Sequence, residues 1–167
     1  TLKEIKAKYN SNIVAIDFLG KKAMCLQPGI QSLSSAEFSD HCKEQVKKNN
    51  CMFYQRIKSK GKLSLDSKAA IEKITSDIHH AEEVKNICFK HKLCPYEIAA
   101  QSAKHSNIII ADYFHILNPN IRDTLLAKTE KELEDSIIII DEAHNLPDRC
   151  RTILSDQLTT NILEQSE

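Results

Sequence analysis

The chain has 167 residues, 41% of them apolar, with three glycines, four prolines and a formal net charge of zero. This composition excludes low-complexity and disordered classes and allows one ordinary domain, or a small domain carrying an insertion. No stretch approaches the ~18 apolar residues of a membrane span and nothing at the start resembles a cleavable signal, so a soluble intracellular protein with no membrane partner is expected.

The first residue is Thr1 and not Met, which reads as a piece of a longer chain. Residues Leu2, Ile5 and Tyr9 fall at helical spacing and predict the end of an amphipathic helix. The run Ile13 to Leu19 reads as a strand stopped by Gly20. Ser34 followed by Glu37 has capping-box spacing, and Phe38, Cys42 and Val46 continue at four-residue steps, predicting a helix over residues 35–48. Ser59 to Lys62 reads as a polar loop. Asp66 is the expected cap of a short helix carrying Ala70, Ile71 and Ile74, and Ser76 or Asp77 of another reaching about Phe89. Cys94-Pro95 marks a helix start with proline at its first position, running to about Lys104. Two β-branched runs, Asn107–Ala111 and Ser136–Asp141, suit strands buried on both faces of a parallel sheet, and Pro119–Lys131 between them reads as the crossover helix of a βαβ unit.

The expected fold is therefore α/β: parts of a parallel-sheet domain interrupted by a mostly helical insert. The zero net charge hides an asymmetry. Residues 21–104 hold 15 Lys+Arg against 9 Asp+Glu, and residues 105–167 hold 5 against 12. A basic segment of this kind suits nucleic acid as a partner, although a solvated lysine-rich surface explains the charge equally well.

The run Ile137-Ile138-Ile139-Ile140-Asp141-Glu142-Ala143-His144 places adjacent carboxylates after a predicted buried strand, where open α/β sheets bind ligands. Nucleotide hydrolysis needs one carboxylate to hold Mg²⁺, a role that suits Asp141, and one to accept a proton from water, which suits Glu142. The other half of such a site is a glycine-rich loop followed by Lys and Ser or Thr. Gly20, Gly29 and Gly61 do not form that pattern, so these residues alone are expected not to hydrolyse ATP.

Six cysteines in a reducing compartment point to metal or cluster ligands, or to buried apolar residues, rather than disulfides. No CxxC pair occurs, which gives little support to a zinc ribbon or a thiol redox protein. Five lie in the insert, at Cys25, Cys42, Cys51, Cys88 and Cys94, and the sixth is Cys150.

Several short motifs in order resemble the XPD family of iron–sulfur DNA helicases: Lys21-Lys22-Ala23-Met24-Cys25, Cys51-Met52-Phe53-Tyr54, Cys94-Pro95-Tyr96, Tyr113 to Pro119, and Asp141 to Asn145. The likeness covers about Lys21 to Asn145, and the DinG-type branch shares much of the pattern. It implies a superfamily-two, DEAH-type motor in which Asp141 positions Mg²⁺, Glu142 activates water for ATP hydrolysis, and His144 couples the nucleotide site to the motor. It implies that Cys25, Cys42, Cys51 and Cys94 hold a four-iron four-sulfur cluster, with Cys88 as the competitor to Cys42 for the fourth place. It further implies 5′-to-3′ movement, contact with single-stranded DNA and duplex junctions, the remainder of the helicase motor as a partner, and service in a repair or transcription complex. Among the basic and aromatic residues, Lys21, Lys22, Arg56 and Tyr54 are the expected DNA contacts, with Phe53 as an alternative stacking residue. The corresponding divisions are a motor part at 1–20, the cluster domain at 21–104, a motor part at 105–148 and the start of an arch-like domain at 149–167. A cytoplasmic location is expected if the source is archaeal or bacterial, and a nuclear one if it is eukaryotic. The alternative is a noncatalytic nucleic-acid-binding module with a zinc or iron–sulfur site.

Overall fold

The computed structural model describes residues 1–9 and 11–155. In chain order it runs α1 (Leu2–Tyr9), β1 (Ala15–Phe18), α2 (Lys21–Met24), α3 (Ser35–Lys47), α4 (Met52–Gln55), β2 (Lys58–Ser59), β3 (Lys62–Leu63), α5 (Leu65–Ser76), α6 (Ala81–His91), α7 (Pro95–Ala103), β4 (Ile108–Ala111), α8 (Phe114–Leu117), α9 (Pro119–Thr129) and α10 (Leu146–Leu154). Short 3₁₀ turns lie at Ile30–Ser32 and Ala143–Asn145. The α/β class expected from the sequence is the class observed.

β1 and β4 pair in parallel, with Ile16 opposite Ile109. Buried Ile16 and Phe18 of β1 join Ile74 of α5, Val84 of α6, Ile98 of α7 and Leu125 of α9 in one hydrophobic cluster. The core thus draws on both the strand segments and the helical insert, and the covering helices shield β1 from water, whereas β4, expected to be buried on both faces, has Ile110 48% exposed because β1 is its only strand neighbour among the described residues.

The caps decide where the helices begin. Ser34 accepts from the Glu37 N–H at 3.2 Å while the Glu37 carboxylate accepts from the Ser34 N–H at 2.7 Å, the reciprocal pair that the spacing predicts. Two other starts differ from expectation. α5 is capped by Ser64, whose hydroxyl accepts from the Ser67 N–H at 3.1 Å, and Asp66 falls in the first turn. The start is set by the preceding hairpin: of the expected loop Ser59 to Lys62, the outer residues pair as strand, and Lys60 and Gly61 have positive φ, 50° and 77°, as a two-residue type I′ turn demands. α6 begins at Ala81 and not at Ser76 or Asp77. Asp77 is extended, φ −143° and ψ 176°, with its carboxylate accepting from the neighbouring Ile78 N–H at 2.8 Å, and Glu83 accepts from the His80 N–H at 2.8 Å.

The largest departure is at Ser136–Asp141. The predicted strand does not form, and Ile137, Ile138, Ile139 and Ile140 are 92%, 49%, 89% and 40% exposed. A strand needs a ladder partner, and among the described residues the parallel pairings are β1 with β4 and an isolated bridge between Ile16 and His79, neither of which involves this run. The β-branched run has strand propensity without a neighbour to satisfy its backbone. Of the segment expected to open a further domain, residues 149–155 continue α10 and its cap, and residues 156–167 lie outside the described residues.

α8 is anchored into the core by His115, which is buried and stacks edge-on against Phe18 at a ring-centroid distance of 5.6 Å. Burial lowers the His115 pKa, opposed by the Asp112 backbone and carboxylate. The unfolded chain therefore binds a proton that the folded one resists, so stability is intact above the ordinary histidine pKa of about 6.5 and declines as pH falls below it. Replacing His115 by Phe should flatten this acid limb, which urea titrations at pH 7.5 and 5.5 would check.

Candidate functional site

Four of the six cysteines come together. Cys25, Cys42, Cys51 and Cys94 line a single cavity of about 210 Å³, with Lys21 and Tyr96 also in its wall. Each arrives from a different element. Cys25 is the C-terminal cap of α2, Cys42 lies inside α3, Cys51 precedes α4 and Cys94 precedes α7. The turn between α3 and α4 uses Asn49 at φ 55°. A backbone bond from the Cys94 N–H to the Phe53 carbonyl at 3.0 Å then fastens the start of α7 to α4, bringing together residues that lie far apart in sequence.

Cys88 lies elsewhere: it is fully buried in α6 within the hydrophobic core and does not line the cavity. Cys150, in α10, is also absent from the lining. Burial raises the Cys25 and Cys42 thiols, and the mutual proximity of Cys25, Cys42 and Cys51 raises both further, while Lys21 opposes the rise at Cys42. Burial pushes Cys94 up to about 12, against the stabilising Glu97 N–H.

The donor set fits an iron–sulfur cluster. Four thiolates complete the coordination of a four-iron cubane, and soft sulfur suits iron or zinc. Among the described residues no group of three or more His, Cys, Asp and Glu side chains is placed to hold a single metal ion. Positive charge stands beside the thiols. The Lys21 and Lys128 ammonium groups lie 5.3 and 5.5 Å from the Tyr96 ring centroid, and Lys128 also pairs with Glu97 at 2.7 Å. Tyr96 adjoins the Cys94-Pro95 pair and was visible in the sequence on that ground. Lys128 comes from α9, and no spacing rule connects it to the cysteines.

The expected DNA contacts divide. Lys21 and Tyr54 line the cavity together with Phe53, and Tyr54 is exposed. Lys22 donates to the Leu33 carbonyl, and Arg56 pairs with Asp66 at 3.2 Å. An ammonium has three donors and a guanidinium five, so each keeps donors free for a phosphate beside these partners.

The acidic residues form a second, exposed site. Asp141 Oδ1 accepts from the Glu142 N–H at 2.9 Å. Glu142 adopts the left-handed backbone conformation, φ 49° and ψ 44°, which costs a residue with a Cβ roughly 1–2 kcal/mol unless its surroundings hold it there. The Asn145 N–H donates to the Glu142 carbonyl at 2.9 Å. The Tyr113 hydroxyl donates to the Asp141 carbonyl and contacts the Glu142 carbonyl at 3.2 Å. His144 Nδ1 lies 3.1 Å from Glu142 Oε2. Tyr113 was part of the motif run but was assigned no role from sequence, because hydrogen bonding across a gap of 28 residues leaves no periodic signal.

Comparison with known proteins adds a family. The DEAD_2 family profile matches residues 1–163. The chain is 31% identical over 148 residues to the ATP-dependent DNA helicase CHL1 of Candida glabrata, covering 87% of this chain and 17% of that protein. It is 28% identical over 173 residues to the general transcription and DNA repair factor IIH helicase subunit XPD/RAD3 of Saccharomyces cerevisiae, covering 95% of this chain and 21% of that protein. The chain thus spans about a fifth of the length of these curated relatives. Among the described residues no helix is long and apolar enough to cross a membrane.

Proposed function

The chain belongs to the DEAD_2 family, and from that premise we propose that it forms the cluster domain and the acidic half of the nucleotide site of an ATP-dependent DNA helicase of the XPD type. The observation that carries this reading is the convergence of Cys25, Cys42, Cys51 and Cys94 on one cavity. When bound, the cluster would cross-link α2, α3, α4 and α7 and so fix how these elements sit beside the hydrophobic core.

At the acidic site Asp141 would hold Mg²⁺, which when bound would supply charge neutralisation at the ATP phosphates. With Oε2 engaged by His144, Glu142 takes a proton from water at Oε1. The chain contributes no phosphate-binding loop from these 167 residues, so the isolated piece should not turn over ATP. The rest of the helicase motor supplies that loop and, in our reading, strand partners for Ile137 to Ile140, since four exposed isoleucines are a strongly apolar surface to leave in water. Residues 1–20 and 105–148 then serve as motor, 21–104 as the cluster domain, and 149–167 as the entrance to a further inserted domain.

Lys21, Lys22, Arg56 and Tyr54 contact single-stranded DNA, the cations at phosphates and Tyr54 by stacking on a base. Repair or transcription is the process served. In the whole protein, duplexes with a 5′ single-stranded tail should be unwound in the presence of Mg²⁺ and ATP, and those with only a 3′ tail should not. A strand-displacement assay that showed no unwinding of either would contradict the helicase assignment.

A further inference from the structure

We propose that Tyr113 is a positioning residue for the acidic loop, holding Asp141 and Glu142 in their working geometry through its hydroxyl. The inference rests on the reading of Asp141 and Glu142 as the Mg²⁺ and proton-accepting groups.

The loop cannot hold itself. Asp141, Glu142, Ala143 and His144 are all exposed, and among the described residues the isoleucine run before them pairs with no strand, so within this chain no sheet ladder fixes the backbone on that side. Glu142 nonetheless adopts a left-handed conformation that a side chain disfavours. Such a conformation persists where neighbouring groups over-determine it. The Asn145 N–H and the Asp141 carboxylate are two of these groups, but both belong to the same exposed loop.

Tyr113 is the contact from outside. Its hydroxyl reaches the Asp141 and Glu142 carbonyls, which belong to the two consecutive peptide groups flanking the Glu142 Cα, so it fixes both planes from which the Glu142 carboxylate springs and one of the two at Asp141. Tyr113 is itself held. It directly precedes α8, whose first turn is closed by the Phe114 N–H on Asp112 Oδ1 at 2.9 Å and the His115 N–H on the Asp112 carbonyl at 2.9 Å. Two residues on, buried His115 seats α8 against Phe18 of β1. A core-anchored donor therefore imposes its position on an otherwise exposed acidic loop. Without the hydroxyl, the Glu142 backbone is free to leave the left-handed region, and both carboxylates move with it. Small displacements of this kind reduce turnover more than substrate binding, because the cost falls on the arrangement of the reacting groups.

The test is Tyr113→Phe in the whole helicase, which keeps the ring and removes only the donor. DNA-stimulated ATPase kcat should fall roughly five- to tenfold while KM for ATP stays within about twofold, and half-saturation should require more Mg²⁺. Thermal midpoint and single-stranded DNA affinity should match the parent protein. Wild-type kcat and Mg²⁺ dependence would overturn the inference, and so would a fall in kcat accompanied by an equal loss of thermal midpoint and DNA affinity, which marks a structural role. Glu142→Gln is assayed in parallel. If it abolishes turnover while Tyr113→Phe is silent, only the positioning role fails; if it leaves turnover intact, the acidic-site reading fails and the Tyr113 role falls with it.

Discussion

Replacing Cys94 by Ala should strip the protein of its cluster, leaving well under one iron per chain, whereas Cys88→Ala should retain about four. The two cysteines are six residues apart and both have thiols pushed up to about 12, chiefly by burial, so neither sequence distance nor acidity separates them. Position does. Cys94 precedes α7 and lines the same cavity as Cys25, Cys42 and Cys51, while Cys88 is wholly enclosed by the core. Loss of one thiolate from a four-ligand site opens an iron corner to solvent, and the cluster's contribution to folding goes with it. The Cys94 variant should therefore also become protease-sensitive across the insert. Cys88→Ala removes a buried sulfur, a packing loss on the order of 1 kcal/mol that lowers the thermal midpoint by a few degrees without touching iron content. Colorimetric iron determination on the two purified variants separates these outcomes, and a cluster lost from Cys88→Ala but kept in Cys94→Ala would reverse the ligand assignment.

Glu142→Gln in the whole protein should leave nucleotide binding intact and reduce ATP turnover by about 10²–10⁴-fold. Gln has nearly the same shape, so the left-handed turn, the Asn145 bond and the Tyr113 clamp all remain available. What disappears is the capacity to take a proton from water. Retained binding is part of the prediction because phosphate affinity belongs to groups outside this loop. Steady-state hydrolysis together with a fluorescent-nucleotide titration checks both halves, and turnover surviving in the variant would remove the proton-accepting role from Glu142.

Much of the helical framework could be read from local chemistry. The Ser34–Glu37 box and the Cys94-Pro95 start are each decided within a few residues, and both occur where their spacing predicts. The caps of α5 and α6 were misplaced because a serine at a hairpin exit and a glutamate reaching back to His80 competed with the aspartates that propensity favours. The strand expected at Ser136–Asp141 does not form among the described residues for a different reason: its composition reports what the segment prefers when paired, and pairing is a tertiary condition that no local pattern contains. The candidate site divides along the same line. Four cysteines could be singled out only through the motif context around them, since their intervals of 16, 8 and 42 residues follow no periodic rule. The contributions of Lys128 and Tyr113 arise from chain segments brought together by the core, and nothing near them in sequence announces those contacts.

The most direct measurement is the metal content of the protein purified without exposure to air. About four irons per chain, with acid-labile sulfide in equal amount, is the expected result for a cluster held by Cys25, Cys42, Cys51 and Cys94. One zinc per chain and no iron would contradict it.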